Sequence, residues 1–341
     1  MNKRLLFFII GGLAVLVLLG GVLFYATQRQ KEKEIVVAGP QIVKISDEPV
    51  ISPVAAYDNN SIWYFNTDGR LFSRHPDGSS LSEYSLPALS GGNLKTALWP
   101  PTGDDFIVIA GAQNSKSFYS SKSKIYVNLP ANIQYLDWLP DGKRIVYIWR
   151  SSDNKTQQLA MADADGTGFR MIKDVLYPDL IVKAAPDGKT VLMYRASIPG
   201  DVNKIYSANL ENGEIVTVVG EGKNITASWI PSTNKFIFSR ASTTAYPKIY
   251  VYDSAIKQAT DLVLNTTLER TVASRDGKYL YAAVSKDDNS GDRFVKIDLS
   301  TNKAEIYFEP NQSVRVKNML MVGNTIYYAS LSDNKLYVIS K

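Results

Sequence analysis

Short apolar runs alternate with polar turns along most of this chain, and the period of the apolar positions past residue 40 is that of strands rather than helices. One pattern returns. "LPDGKRIVYIW" at 139–149 comes back as "APDGKTVLMYR" at 185–195 and as "SRDGKYLYAAV" at 274–284. Asp141 to Asp187 spans 46 residues and Asp187 to Asp276 spans 89, which is two periods, so a degenerate copy belongs midway. "WIPSTNKFIFSR" at 229–240 fills that place. The same plan of strand, polar turn and apolar strand recurs at 98–111, 55–66 and 319–330, which makes seven copies.

Each copy continues into a second hairpin. "QLAMADADGTGFRMI" (158–172), "KIYSANLENGEIVTV" (204–218), "KIYVYDSAIKQATDL" (248–262) and "RFVKIDLSTNKAEIYF" (293–308) place two β-rich runs around a tight polar turn. One unit is therefore four antiparallel strands. Its second strand, such as Ile145 to Trp149 or Val191 to Tyr194, is apolar almost without alternation, and such a strand must be buried on both faces. A ring of units meets that demand by stacking each sheet between two others. The prediction is an all-β, seven-bladed β-propeller over residues 40–341, with a strand at 40–46 closing the last blade, because the chain ends one strand short there. A six-bladed ring is the alternative, since blade two ("GAQNSKSFYSSKSKIYVNLPAN") does not divide cleanly and its "KIY" fits either the third strand, whose signature it matches, or the fourth.

The propeller is preceded by an apolar run of different character. Leu5 to Ala26 holds 22 residues without a charge, and at about 1.5 Å per residue it crosses a hydrocarbon core of about 30 Å. It is too long for a signal peptide's apolar core, and Phe24, Tyr25 and Ala26 make a poor cleavage site. The expectation is a short cytoplasmic tail (1–4), a transmembrane helix (5–26), a linker (27–39) and a propeller outside the cytoplasm, on the cell envelope or extracellular face.

Composition narrows the chemistry. The 38 Lys plus Arg against 33 Asp plus Glu is too mild a balance for nucleic acid, and the absence of cysteine removes disulfides, thiolate metal sites and cysteine nucleophiles. Nothing calls for a cofactor. The only histidine, His75, lies in the turn "RHPDGS". The Asp-Gly pairs at 141–142, 187–188 and 276–277 suit turns better than ligand binding, because Gly accepts positive φ and Asp bonds its own backbone. "SKDDNSGDR" (285–293) lacks the oxygen ligand and downstream Glu of a calcium loop and reads as a solvated loop. Trp99, Trp138 and Trp229 recur at matching positions and read as packing between blades.

"PDGK" opening an apolar strand and "ADADGTGFRMI" closing a unit resemble the TolB-like and WD-repeat-like propellers of the bacterial cell envelope. The resemblance covers roughly residues 50–341 and rests on turn chemistry and strand patterning. It implies a binding scaffold in the envelope. That family's six-bladed members carry an extra N-terminal domain and a cleaved signal, where this chain has an apolar span, so their partners do not carry over.

Arg150, Arg195 and Arg240 recur every 45 residues, each directly after a buried second strand, with Lys286 one place off register. Equivalent positions share one rim, where the connecting loops are longer, so these cations are the candidate ligand-binding residues; the alternative is an ion pair or strand cap for each. The expected function is a membrane-tethered scaffold without catalysis that binds a protein, peptide or cell-wall partner through this rim. The rival is an extracytoplasmic propeller enzyme of glycoside hydrolase or lyase type, which would need a carboxylate pair.

Overall fold

The computed structural model describes residues 40–89, 92–196, 201–241 and 246–340. The expected tail, membrane span and linker lie outside the described residues. Among the described residues no helix is long and apolar enough to cross a membrane.

Seven four-stranded antiparallel sheets make up a seven-bladed propeller, and the six-bladed alternative is set aside. Blade 1 comprises Ile51–Ala55, Ile62–Phe65, Leu71–Arg74 and Leu81–Tyr84, from the inner strand outward. Blade 2 is complete: Leu94–Leu98, Phe106–Ala110, Ser115–Ser120 and Ile125–Asn128, so "KIY" falls at the fourth strand, not the third. Blades 3, 4, 5 and 6 begin with inner strands Ile133–Trp138, Leu180–Ala184, Thr226–Trp229 and Thr271–Ala273. Blade 7 takes Val316–Val322, Thr325–Ser330 and Leu336–Ser340 from the end of the chain and Gln41–Lys44 from its beginning.

That last pairing closes the ring. Beyond the strand, the Ile45 amide donates to the Leu336 carbonyl at 2.7 Å, and the Leu336 amide donates to Ser46 Oγ at 2.9 Å. Ile45 enters the core between blades 7 and 1, and Tyr327 of blade 7 donates its hydroxyl to the Pro76 carbonyl of blade 1 at 2.8 Å. Opening the ring would expose this apolar surface and unpair strand edges on two blades.

The continuous apolar second strands have the double burial their pattern demands. In blade 3, Ile145 and Tyr147 enter the core shared with blade 2, while Val146 and Ile148 enter the core shared with blade 4. In blade 4, Val191 and Met193 face blade 3, and Leu192 and Tyr194 face blade 5. Each such side chain contributes about 1.5–3 kcal/mol of apolar burial. The stability of a blade therefore depends on its neighbours.

The Asp-Gly turns are structural. Asp141 Oδ1 accepts from the amides of Lys143 and Arg144 at 2.9 and 3.0 Å, and Asp187 Oδ1 accepts from those of Lys189 and Thr190 at 2.8 and 2.9 Å. The Trp residues bridge blades as expected. Trp99, Trp138 and Trp229 each donate the indole N–H to an inner-strand carbonyl of the preceding blade: Ser52, Leu98 and Lys183, at 2.7, 3.0 and 2.9 Å. The "SKDDNSGDR" segment corrects one expectation. Its tip is an exposed turn, but Asp292 is buried, paired with Arg270, and accepts the Val316 amide of blade 7 at 2.7 Å.

Candidate active site

Second and third strands are joined on one face of the ring, where the connections between blades also arrive. The four expected cations stand there, each engaged inside its own blade. Arg195 lies between Asp179, at 3.0 Å, and Asp201, at 3.5 Å, with its guanidinium over the Tyr177 ring. Arg240 stacks against Phe238 and Tyr250. Lys286 donates to the Pro310 carbonyl at 2.8 Å and lies 3.6 Å from Glu309. Arg150 is held through its backbone, which exchanges hydrogen bonds with Asn132, and its buried Nε has no hydrogen-bond partner among the described residues. Residues 197–200 and 242–245 of the neighbouring loops lie outside the described residues.

The same face carries a cleft of about 760 Å³ between blades 2 and 3, which reaches the inner strand of blade 4. That volume suits an oligosaccharide or drug-sized ligand. Blade 2 leaves the space open because its second and third strands are joined by only Gly111–Asn114, where blade 3 uses Ser151–Thr156. The lining contains Lys95, Lys116 and Lys183, six amide or hydroxyl side chains around them, the exposed ring of Tyr135, and no Asp or Glu. Lys95 Nζ donates to Asn114 Oδ1 at 2.7 Å, and Lys116 Nζ donates to the Asn114 carbonyl at 3.4 Å. Asn114 reaches both through a left-handed backbone (φ 56°), a conformation its short polar side chain tolerates. Burial pushes the Lys116 ammonium below the usual lysine range.

The inner end of the cleft meets the central channel. Leu136 and Lys183 line the cleft, while the next residues, Asp137 and Ala184, line a second cavity of about 600 Å³ that opens among the hairpin turns of the opposite face. Asp137 Oδ2 accepts the Ala184 amide at 3.0 Å. Burial pushes the Asp137 carboxyl up, and the Asp137 charge in turn raises Lys183. Glu269, exposed in the 3-10 turn Leu268–Arg270 ahead of blade 6, acts electrostatically on Lys183 as well. Tyr194, raised by burial, borders the group and donates to the Ala227 carbonyl at 3.3 Å. Lys183 thus feels two carboxylates from different blades, Asp137 more strongly and Glu269 more weakly.

Sequence reasoning missed these residues, although a signal was present. Asp137 and Lys183 occupy the same position of the repeat, three residues before the turn proline, where blades 2, 5 and 6 carry Leu98, Ser228 and Val272. A charge at one register of an inner strand is the mark of a channel position.

No family model matches the sequence, and no curated protein resembles it closely enough to count as a relative. The TolB-like and WD-repeat-like resemblance thus stays at the level of the propeller. Solved structures do share the fold. An oligogalacturonate lyase in complex with manganese matches with a TM-score of 0.66 at 12% identity, over 89% of this chain and 94% of that one. The oligogalacturonate lyase of Vibrio parahaemolyticus gives 0.63 at 10% identity over the same shares. A puromycin-hydrolyzing peptidase of Mycobacterium tuberculosis gives 0.60 at 14% identity, over 82% of this chain but only 48% of the peptidase. Likeness at these identities establishes the propeller fold. Because such propellers include enzymes, it corrects the expectation of a scaffold without catalysis. The manganese named with the first lyase finds no matching donor set: among the described residues no three His, Cys, Asp or Glu side chains group as ligands, and His75 sits half-exposed in a turn, 2.7 Å from Asp77.

Proposed function

We propose that this chain is a glycan-cleaving propeller enzyme of glycoside hydrolase or lyase type, tethered to a membrane by residues 5–26 with the propeller outside the cytoplasm. The observation that supports the reading is Asp137 of blade 3 beside Lys183 of blade 4, where the 760 Å³ cleft adjoins the 600 Å³ cavity, with Glu269 ahead of blade 6 as a weaker charge on the same lysine. Breaking a glycosidic bond asks for one group that gives a proton to the leaving oxygen and another that takes a proton or activates water. Burial favours the neutral form of Asp137, which suits the donor. Glu269, exposed, suits the acceptor. Lys183, the cation beside Asp137, stabilises negative charge that develops on the leaving oxygen. The fold likeness to two oligogalacturonate lyases, over 89% of this chain, supports a carbohydrate substrate.

The test is a panel of neutral and acidic oligosaccharides incubated with the full-length protein in detergent, with new reducing ends measured beside wild type, Asp137→Asn and Glu269→Gln. Each variant is expected to lose activity by roughly 10²-fold or more, the usual worth of a positioned acid or base. A folded wild type that cuts nothing in the panel, or variants that cut as fast, would remove the reading. Cleavage of the propeller by protease added outside intact cells tests the placement.

A further inference from the structure

We propose that the groove between blades 4 and 5, on the hairpin face of the ring, is a binding site for an uncharged saccharide chain. It shares no residue with the cleft on the opposite face and does not depend on the glycan-cleaving reading above.

The groove measures about 990 Å³, at the upper end of the range of about 300–1,000 Å³ usual for small-ligand sites. Small side chains open it. Thr190 and Ser207 lie on the face of blade 4 turned toward blade 5. At the matching places of the second and third strands, blade 3 carries Arg144 and Met161, blade 5 Lys235 and Val251, and blade 6 Tyr279 and Lys296. Blade 1 also has small residues there, Ser61 and Ser73, but covers them with Trp63, whose indole donates to Ser61 Oγ at 3.0 Å. Toward the axis the groove shares Ala185, Pro186 and Ser232 with the 600 Å³ cavity, so a bound chain runs from the rim to the channel mouth.

Tyr252 points to a ligand. It is only 6% exposed, its ring is stacked on Phe236 at 4.8 Å, and it lines the groove with a hydroxyl that has no hydrogen-bond partner among the described residues. A phenol so placed has lost most of its water, and a ligand hydroxyl restores the bond. Ser207, Thr217 and Asn234 line the same groove with side chains that no other described residue engages. The main chain of both walls is spent in the sheet ladders, so recognition falls to hydroxyls and an amide. These both donate and accept, as sugar hydroxyls do. The half-buried Trp229 ring adds an apolar surface for the C–H face of a sugar. Charge is cancelled within the groove. Asp187 is occupied by the amides of Lys189 and Thr190 and by Thr190 Oγ1 at 2.9 Å, and Lys235 pairs with Asp253 at 3.1 Å. Only Lys257 is left over, exposed in the outer hairpin of blade 5, where solvent screens it.

Full-length protein, in a detergent without a sugar headgroup, is titrated calorimetrically with trimers of glucose, galactose, mannose and N-acetylglucosamine and with trigalacturonate. At least one neutral trimer is expected to bind. Ser207→Met, which installs the side chain that blade 3 carries at this place, should abolish that binding, whereas Ser207→Ala keeps the space and should keep it. Tyr252→Phe should weaken it by about three- to tenfold, the worth of one neutral hydrogen bond. Melting curves of the three variants that match wild type exclude misfolding as the cause. No neutral trimer bound, or binding unchanged in both Ser207→Met and Tyr252→Phe, overturns the site. Trigalacturonate held more tightly than every neutral trimer, and released by Ser207→Met, overturns the uncharged ligand. Binding lost in Ser207→Met with no trimer cut by any protein leaves the groove standing and counts only against the glycan-cleaving reading.

Discussion

Gly142 offers a sharp test of the ring packing. It lies in the first hairpin of blade 3 with φ +65°, and a Cβ there would stand 2.2 Å from Thr102 Oγ1 and 2.4 Å from the Thr102 carbonyl oxygen, both on the hairpin of blade 2. Gly323 lies in the equivalent hairpin of blade 7 with φ +57° and has no atom within 4 Å of its Cβ position. Alanine at either position costs about 1–2 kcal/mol for the left-handed backbone. At Gly142 the overlap adds about 1–3 kcal/mol, because a main-chain carbonyl cannot rotate aside. The hydrogen bond from Thr102 Oγ1 to the Asp141 carbonyl, now 3.2 Å, is strained as well and is worth about 1 kcal/mol. Gly142→Ala should therefore lose about 2–6 kcal/mol and Gly323→Ala only 1–2, roughly. Denaturant unfolding followed by tryptophan fluorescence reads the difference, since Trp138 borders the affected interface. Equal losses would mean that neighbouring hairpins do not approach as described, and the account of blade-to-blade packing would fail with them.

Removing one partner of the buried Arg270–Asp292 pair should be costly: Asp292→Ala leaves a guanidinium without its carboxylate and frees the Val316 amide, and calorimetry should show a loss of about 3–5 kcal/mol. Val263 is a β-branched residue held at φ +56° in a bulge of the outer strand of blade 5 and lies exposed, so Val263→Gly should gain about 1 kcal/mol in the same measurement; a loss would refute the strain. Asp137 has a folded value raised above the ordinary 3.8, so its contribution to stability is whole below that pH and is lost as pH rises through the raised value. Asp137→Asn should therefore flatten the dependence of melting temperature on pH above 3.8, while activity is lost. An unchanged pH dependence in the variant would show that this carboxyl is not the group that titrates.

Much of the fold was legible because its causes are local and repeated. "PDGK" states a turn through the φ of Gly142 and the carboxylate of Asp141, and "RIVYIW" states double burial through the absence of alternation; both follow from backbone sterics and hydration within a dozen residues. The missing strand of blade 7 was legible by counting. Blade 2 was harder to divide because its turns lack Asp-Gly pairs, and hydrogen bonding rather than composition sets its strands.

The site was not legible in the same way. Arg150, Arg195 and Arg240 share a register and stand on one rim, and the carboxylates Asp179 and Asp201 that hold Arg195 there come from its own blade. Lys95 and Lys116 reach one residue, Asn114, only because blade 2 turns back within four residues at Gly111–Asn114, and Asp137 acts on Lys183 only because the inner strands of blades 3 and 4 lie side by side. The sequence by itself determined the repeat, the turns, the buried strands and the closing strand, since each depends on neighbours along the chain. The tertiary structure alone decided which charges face one another, since electrostatic interaction depends on distance through space, and ring closure brings together residues that lie more than a hundred positions apart.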